Sequence, residues 1–301
     1  MKSVGLVLHP QRDSAEAVEA VLSWAASRGI PVFGLKDEVT RLNCAAIPVT
    51  EEELGGRAEL IVSLGGDGTM LRAMRLADRQ RASVLGVNLG KLGFLPEVDV
   101  PELPSALSAI DDHRFTLEPR LAIDATFGTT SVTAFNDVVV VRMPGNEGSA
   151  FVAVHVGGQP FVSYAADAVI VATPTGSTAY SFSAGGPIVE PRVEALLVTP
   201  AAPHSAYNRG FVLSVDDTVA LDILPPSGRL AIEVDGQVEG YADPGDRIEL
   251  RARPDAARVV RLGHTTFFQR ARRKLRLTDS AEIPPSYVDG DGAAPLWPPG
   301  R

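Results

Sequence analysis

The periodicity of the chain changes once, near Arg114, and that change limits the folds open to it. Before it, apolar strands alternate with amphipathic helices. Val4–Leu8 reads as a buried strand, residues 15–28 as a helix ended by Gly29, and residues 31–35 and 59–64 as further strands. Residues 69–77 read as a helix leaving a glycine turn, and residues 83–87 as another strand, followed by a glycine-marked loop. Strands alternating with helices predict a mainly parallel sheet covered on both faces, with ligands at the carboxyl ends of its strands. After Arg114 come β-rich runs over residues 121–127, 138–142, 151–156, 161–164, 168–171, 195–199, 211–215, 219–223, 230–234 and 247–251. Gly157-Gly158 has the chemistry of a tight hairpin turn. The expectation is an α/β N-terminal domain with a mainly parallel sheet over residues 1–114, then an all-β-rich C-terminal domain over residues 115–264. A closing helix within residues 265–280 returns to the first domain, and residues 281–301, rich in Pro, Gly and Asp, read as a disordered tail.

The 301 residues suffice for two such domains, and with 45% hydrophobic and 22% charged residues they can bury an ordinary core. A net charge of −9 disfavours nonspecific binding to nucleic acid or to an anionic membrane. It does not disfavour a phosphorylated ligand, because backbone amides can hold an anion inside an acidic protein. Cys44 is the only cysteine, which excludes an intrachain disulfide and a cysteine-rich metal site. The N-terminal apolar run is too short for a signal peptide, and no run reaches membrane-spanning length, so the cytoplasm is the expected compartment. His9, His113, His155, His204 and His264 are scattered, which argues against a zinc site.

Two segments carry chemistry. In Gly65-Gly66-Asp67-Gly68-Thr69 a single carboxylate sits in a turn whose glycines let backbone amides approach phosphate oxygens. Thr69 opens the following helix, and Asp67 is placed to take or orient the proton of an attacking hydroxyl. An aspartate in such a turn also serves simply as a helix cap, so the pentapeptide alone leaves both roles open. Its pattern also resembles the diacylglycerol-type lipid kinases and, nearly, the phosphofructokinases. In the second segment, residues 167–187, an apolar strand ends at Pro174 and runs through Thr175, Gly176 and Ser177 into a short helix. Small residues there leave room for a bulky ligand, Tyr180 can lie against a nucleobase or nicotinamide ring, and Thr175 and Ser183 supply hydroxyls.

Together these segments resemble the NAD kinases, over about residues 60 to 280. Gly86-Val-Asn-Leu-Gly-Lys-Leu-Gly-Phe-Leu95, Phe135-Asn136-Asp137-Val138, Asp235-Gly236-Gln237 and the loop over residues 200–205 with His204 extend the likeness. The sequence departs from the family at Asp137, where a glutamate is usual, at Ala165, where many relatives carry a basic or polar residue, and at His9-Pro10, where Asn-Pro is usual.

The resemblance implies transfer of the ATP γ-phosphoryl group to the 2′-hydroxyl of the adenosine ribose of NAD, in a cleft between the domains. It implies Asp67 as the catalytic residue, with Gly65, Gly66, Gly68, Thr69 and Arg72 around the ATP phosphates. NAD contacts are implied for Asp67, Gly68, Asn136, Asp137, Asp167, Thr175, Thr178, Ala179, Tyr180, Ser181, Phe182, Ser183 and Gln237. It further implies ATP as donor, Mg²⁺ or another divalent cation with no protein metal ligand assigned, and a homodimer or homotetramer. No nucleic acid or membrane partner is expected. The rival readings are a catalytically silent NAD-binding sensor and a lipid or sugar kinase sharing the glycine turn. Lys91 reads as a surface lysine, and the basic run over residues 270–276 as a solvated helix face or subunit contact.

Overall fold

The computed structural model describes residues 1–277, apart from residues 79, 81, 91, 92, 146, 147, 205 and 206. The expected tail over residues 281–301 and Lys91 lie outside the described residues.

The first part alternates as its periodicity predicts: β1 (Val4–Leu8), α1 (Ala15–Ala26), β2 (Val32–Leu35), α2 (Lys36–Leu42), β3 (Ile47–Val49), α3 (Glu51–Arg57), β4 (Leu60–Gly65), α4 (Asp67–Ala77), β5 (Ser83–Asn88), β6 (Val98–Asp99) and α5 (Leu103–Asp111). Strands β3, β2, β1, β4 and β5 pair in parallel in that spatial order. One face packs on α1 and α5 through Val18, Val21, Ala106, Leu107 and Ile110, and the other packs on α3 and α4 through Leu54, Met70, Ala73 and Met74. On α4 the fully buried side chains recur at Met70, Ala73, Met74 and Ala77. That spacing is one helical face, and each methionine contributes about 1.5–3 kcal/mol by its burial. Helices α2, α3 and α5 and strand β3 are too short for periodicity to separate them from loop. Local devices hold some of them: α3 has a Thr50–Glu53 capping box, and α2 ends at Asn43 in the left-handed region.

The second part runs through β7 (Thr116–Phe127), β8 (Thr130–Ala134), β9 (Asp137–Arg142), β10 (Ala150–Val156), β11 (Gln159–Ala166), β12 (Ala168–Ala172), α6 (Tyr180–Ser183), β13 (Ala195–Ala201), β14 (Phe211–Ser214), β15 (Val219–Ile223), β16 (Leu230–Val234), β17 (Gln237–Ala242), β18 (Arg247–Arg261) and α7 (Phe267–Leu275). Gly157 and Gly158 both have positive φ (58° and 79°) in the β10–β11 hairpin, as a tight primed turn requires. Strands β14-β13-β12-β9-β16-β17 form a six-stranded antiparallel sheet. It packs against the antiparallel part of the other sheet, burying Val138, Val140, Val169, Val171 and Ile232 against Ile123, Val152, Leu221 and Leu250.

The two parts share a strand. β18 pairs antiparallel with β7 along almost its whole length and with β15 at its start, and it lies parallel to β5 at Arg258 and Val259. Its register shifts between Arg253 and Ala257, where Asp255 has a φ of 50°. Pro254 removes an amide at this bulge, which is why the sequence shows a strand only over residues 247–251.

Candidate active site

The packing of α4 decides where its polar residues go. With Met70 and Met74 turned into the core, the helix starts at the carboxyl end of β4 and presents Asp67, Gly68, Arg72 and Arg75 to a cavity of about 460 Å³. His9, Pro10 and Arg12 beyond β1, together with Gln237 from β17, complete its lining. The cavity therefore brings together Gly66, Asp67, Gly68, Thr69, Arg72 and Gln237 of the sequence-predicted residues. Gly66 and Gly68 face open space, as an approach of phosphate to their amides needs. Gly65 does something else: a Cβ there would lie 2.1 Å from Thr69 Oγ1, so it makes room for the buried Thr69 and not for a ligand.

Asp67 is tightly held. Its Oδ1 accepts hydrogen bonds from the amides of Phe94 (2.8 Å) and Leu95 (2.9 Å), and its Oδ2 accepts one from Lys274 Nζ (2.6 Å). Gly93 permits this approach, since a Cβ there would meet Asp67 Oδ1 at 2.4 Å. Arg72 is also anchored, donating to the Leu8 carbonyl (3.0 Å) and to Glu38, whose other oxygen accepts the Leu8 amide at 2.8 Å. Burial pushes the Glu38 carboxyl up, against the pull of Arg72. Arg12, Arg72 and Arg75 each keep a buried guanidinium nitrogen with no hydrogen-bond acceptor among the described residues: Nη1, Nε and Nε respectively. Burial, followed by Arg12, Arg41 and Arg72, holds His9 below its ordinary value, which marks this wall as cationic. The sequence motifs do not point to Arg12 or Arg75. Arg75 stands three residues from Arg72 on one helix, a spacing that could have shown it.

The second segment forms an adjoining wall. Thr173 closes the end of β12, donating to the Phe135 carbonyl (2.6 Å) and accepting the Gly176 amide (3.1 Å). Gly176 lies where a Cβ would be 2.0 Å from the Asn136 carbonyl oxygen, so the loop and the Asn136 backbone are in close contact. Asp235, in the left-handed region at φ 49°, accepts the amides of Phe135 (3.1 Å), Asn136 (2.7 Å) and Asp137 (3.3 Å). Its other neighbour is Arg75, whose Nε lies 4.0 Å away, so the cationic wall touches this one here. Burial raises Asp235.

From there the loop folds back over β12 and β13 through Ala184 and Val189. Tyr180 and Phe182 remain exposed, along with Ser183, and Thr178 and Ala179 are half-buried. The Tyr180 hydroxyl is raised first by burial, then by the charges of Glu233, Asp167 and Asp137. Asp137 is buried and accepts the Tyr180 amide; burial, then Asp235, pushes it up to about 7. Asp167 is paired with Arg142 at 2.7 Å and is about two-fifths exposed.

Two predicted contact residues turn away from the surface. Ser181 is fully buried and shares a hydrogen bond with Thr199 at 3.0 Å, and Thr175 Oγ1 accepts from the buried Arg120 at 3.1 Å. His204 is exposed, its amide bonded to the Ala165 carbonyl at 2.7 Å.

This arrangement offers a carboxylate of fixed orientation beside a cationic wall. Residues 4–115 match the ATP-NAD kinase N-terminal domain and residues 135–262 the ATP-NAD kinase C-terminal domain. The chain is 41% identical to NAD kinase 1 of Streptomyces avermitilis, over 98% of its own length and 92% of the relative's. It is 37% identical to the NAD kinase of Desulforamulus reducens, over 92% and 98%. Its fold resembles that of yeast NADH kinase complexed with NADH, with a TM-score of 0.83 at 25% identity over 94% of this chain and 90% of that one. It also resembles an Archaeoglobus fulgidus NAD kinase in complex with ATP, with a TM-score of 0.70 at 24% identity over 92% and 99%.

Proposed function

The chain belongs to the ATP-NAD kinase family, and we propose that it transfers the γ-phosphoryl group of ATP to the 2′-hydroxyl of the adenosine ribose of NAD, giving NADP and ADP. The observation that carries this reading is the cavity at Asp67. It sets one carboxylate beside three guanidinium groups that hold more N–H donors than the described residues satisfy. The ribose oxygen attacks the γ-phosphorus, the bond to the β–γ bridging oxygen breaks, and the hydroxyl proton passes to Asp67. The Gly66–Gly68 amides with Arg12, Arg72 and Arg75 hold the donor phosphates. Asn136, Asp137, Asp167, Tyr180 and Gln237 serve the dinucleotide.

Asp67, the carboxylate of this cavity, is poorly placed to hold Mg²⁺. Among the described residues no three His, Cys, Asp or Glu side chains stand together, and Asp67 already accepts two amides and an ammonium. A divalent cation therefore belongs to the nucleotide that carries it. The single cysteine, Cys44, fits a cytoplasmic setting, and among the described residues no helix is long and apolar enough to cross a membrane. The family resemblance supports a homodimer or homotetramer.

Purified protein supplied with ATP, Mg²⁺ and NAD should form NADP, read with an NADP-specific dehydrogenase. Asp67→Asn should lower kcat by about 10²–10⁴. Turnover of Asp67→Asn close to wild type would remove Asp67 from the base role. NAD binding without any NADP would turn the reading to a dinucleotide sensor.

A further inference from the structure

Lys274 Nζ lies 2.6 Å from Asp67 Oδ2, although 207 residues separate them in the chain. The contact is built by the whole of α7. A Thr266–Gln269 capping box starts that helix. Arg270, one turn before Lys274 on the same face, is buried. It donates to the carbonyls of Pro96 (2.6 Å), Phe94 (3.1 Å) and Thr265 (3.3 Å) and to Glu97 (3.2 Å). The segment whose carbonyls Arg270 holds gives its own amides, from Phe94 and Leu95, to Asp67 Oδ1. Lys274 also lies 4.6 Å from the centre of the Phe94 ring. Helix and carboxylate thus grip one segment from two sides, and Lys274 closes the loop between them.

A carboxylate offers about four lone-pair sites. Three are taken here, two on Oδ1 and one on Oδ2. The remaining one is on Oδ2, beside the ammonium. The two amides bond Oδ1 alone, and the bond from Lys274 is the one given to Oδ2 among the described residues, so it limits the residual rocking of the side chain that bonds to a single oxygen permit. A proton acceptor misplaced by about 1 Å can lose roughly 10²-fold in rate. We infer that Lys274 is a positioning residue for phosphoryl transfer, holding Asp67 Oδ2 where the substrate hydroxyl meets it, with Arg270 setting where Lys274 stands. This rests on the role of Asp67 proposed above.

The test is steady-state kinetics of Lys274→Met, Lys274→Arg, Asp67→Asn and the Asp67→Asn/Lys274→Met double variant. Lys274→Met should lower kcat at least about tenfold while the KM values for ATP and NAD stay within about twofold, and Lys274→Arg should recover most of the loss. In the Asp67→Asn background the same lysine change should alter the rate by less than about twofold, because the group it positions is gone. A Lys274→Met enzyme within about twofold of wild type would overturn the inference, as would an equal loss in both backgrounds or a loss confined to KM. If Asp67→Asn turns over like wild type, the base role fails and this inference with it. If Asp67→Asn is crippled while Lys274→Met is not, only the inference about Lys274 fails.

Discussion

The two walls of the cleft carry opposite charge and treat it in opposite ways. Around α4 the arginines at 12, 72 and 75 face a cavity with one carboxylate among its described lining residues, and each keeps an N–H without an acceptor among the described residues. Around Tyr180 the carboxyl groups are Glu233, Asp137 and Asp167, the last paired with Arg142, and the Asp235 side chain is buried. There the fold supplies the counterparts itself, giving backbone amides of residues 135–137 to Asp235 and that of Tyr180 to Asp137. Spare donors suit an anion; carboxylates suit the hydroxyl and amine donors of a nucleoside. Under the proposed function, phosphates fall to the first wall and ribose and ring groups to the second, and the two touch where Arg75 Nε lies 4.0 Å from Asp235.

That partition is open to direct attack, and the largest effect should come from the acidic wall. Asp137 is pushed from 3.8 to about 7 by burial, with Asp235 adding to it. Between those values the folded protein binds a proton that the unfolded chain lacks, so stability falls as pH rises from about 4 to about 7. Asp137→Asn removes this slope. Its stability relative to wild type should rise by about 2 kcal/mol between pH 5 and pH 8 in urea unfolding, and parallel curves would mean that Asp137 is not held protonated. On the cationic wall, Arg12→Gln should raise the KM for ATP by about 10- to 100-fold, the worth of one charge-assisted hydrogen bond, with the NAD value nearly unchanged. An equal rise for NAD would break the partition. The smallest effect belongs to the Arg142–Asp167 pair, which is about two-fifths exposed. Arg142→Met should cost less than about 1 kcal/mol in the same unfolding experiment, and a larger loss would make this pair a structural pin of the acidic wall.

Much of the architecture is legible in the chain itself. Strands β1, β4, β12 and β13 lie where apolar runs are continuous, because a strand buried on both faces is apolar throughout, while β10 and β15 show the alternation of strands with one covered face. Helices α2, α3 and α5 escape such a reading because seven to nine residues give too few turns for a periodic stripe. The long strand β18 escapes it because Pro254 and the bulge at Asp255 interrupt its pattern. At the site, Asp67 and the glycines are legible from a local turn, whereas Thr175, which reads as a hydroxyl for a ligand, is bonded to Arg120, and Ser181, a contact implied by the resemblance, is bonded to Thr199.

The order of strands and helices, the glycine turn with its one carboxylate, and the loop that follows β12 are all encoded locally, since each depends on residues a few positions apart. What those pieces meet is settled by packing. Asp235 reaches back 100 residues to the Phe135 amide, Arg12 and Arg75 converge from different elements, and Lys274 arrives at Asp67 from the last described helix. Such meetings depend on how the buried faces of Met70 and Met74, and of Arg270, lock their helices against the sheet, and no local pattern in the chain encodes the distance between two elements packed against a third.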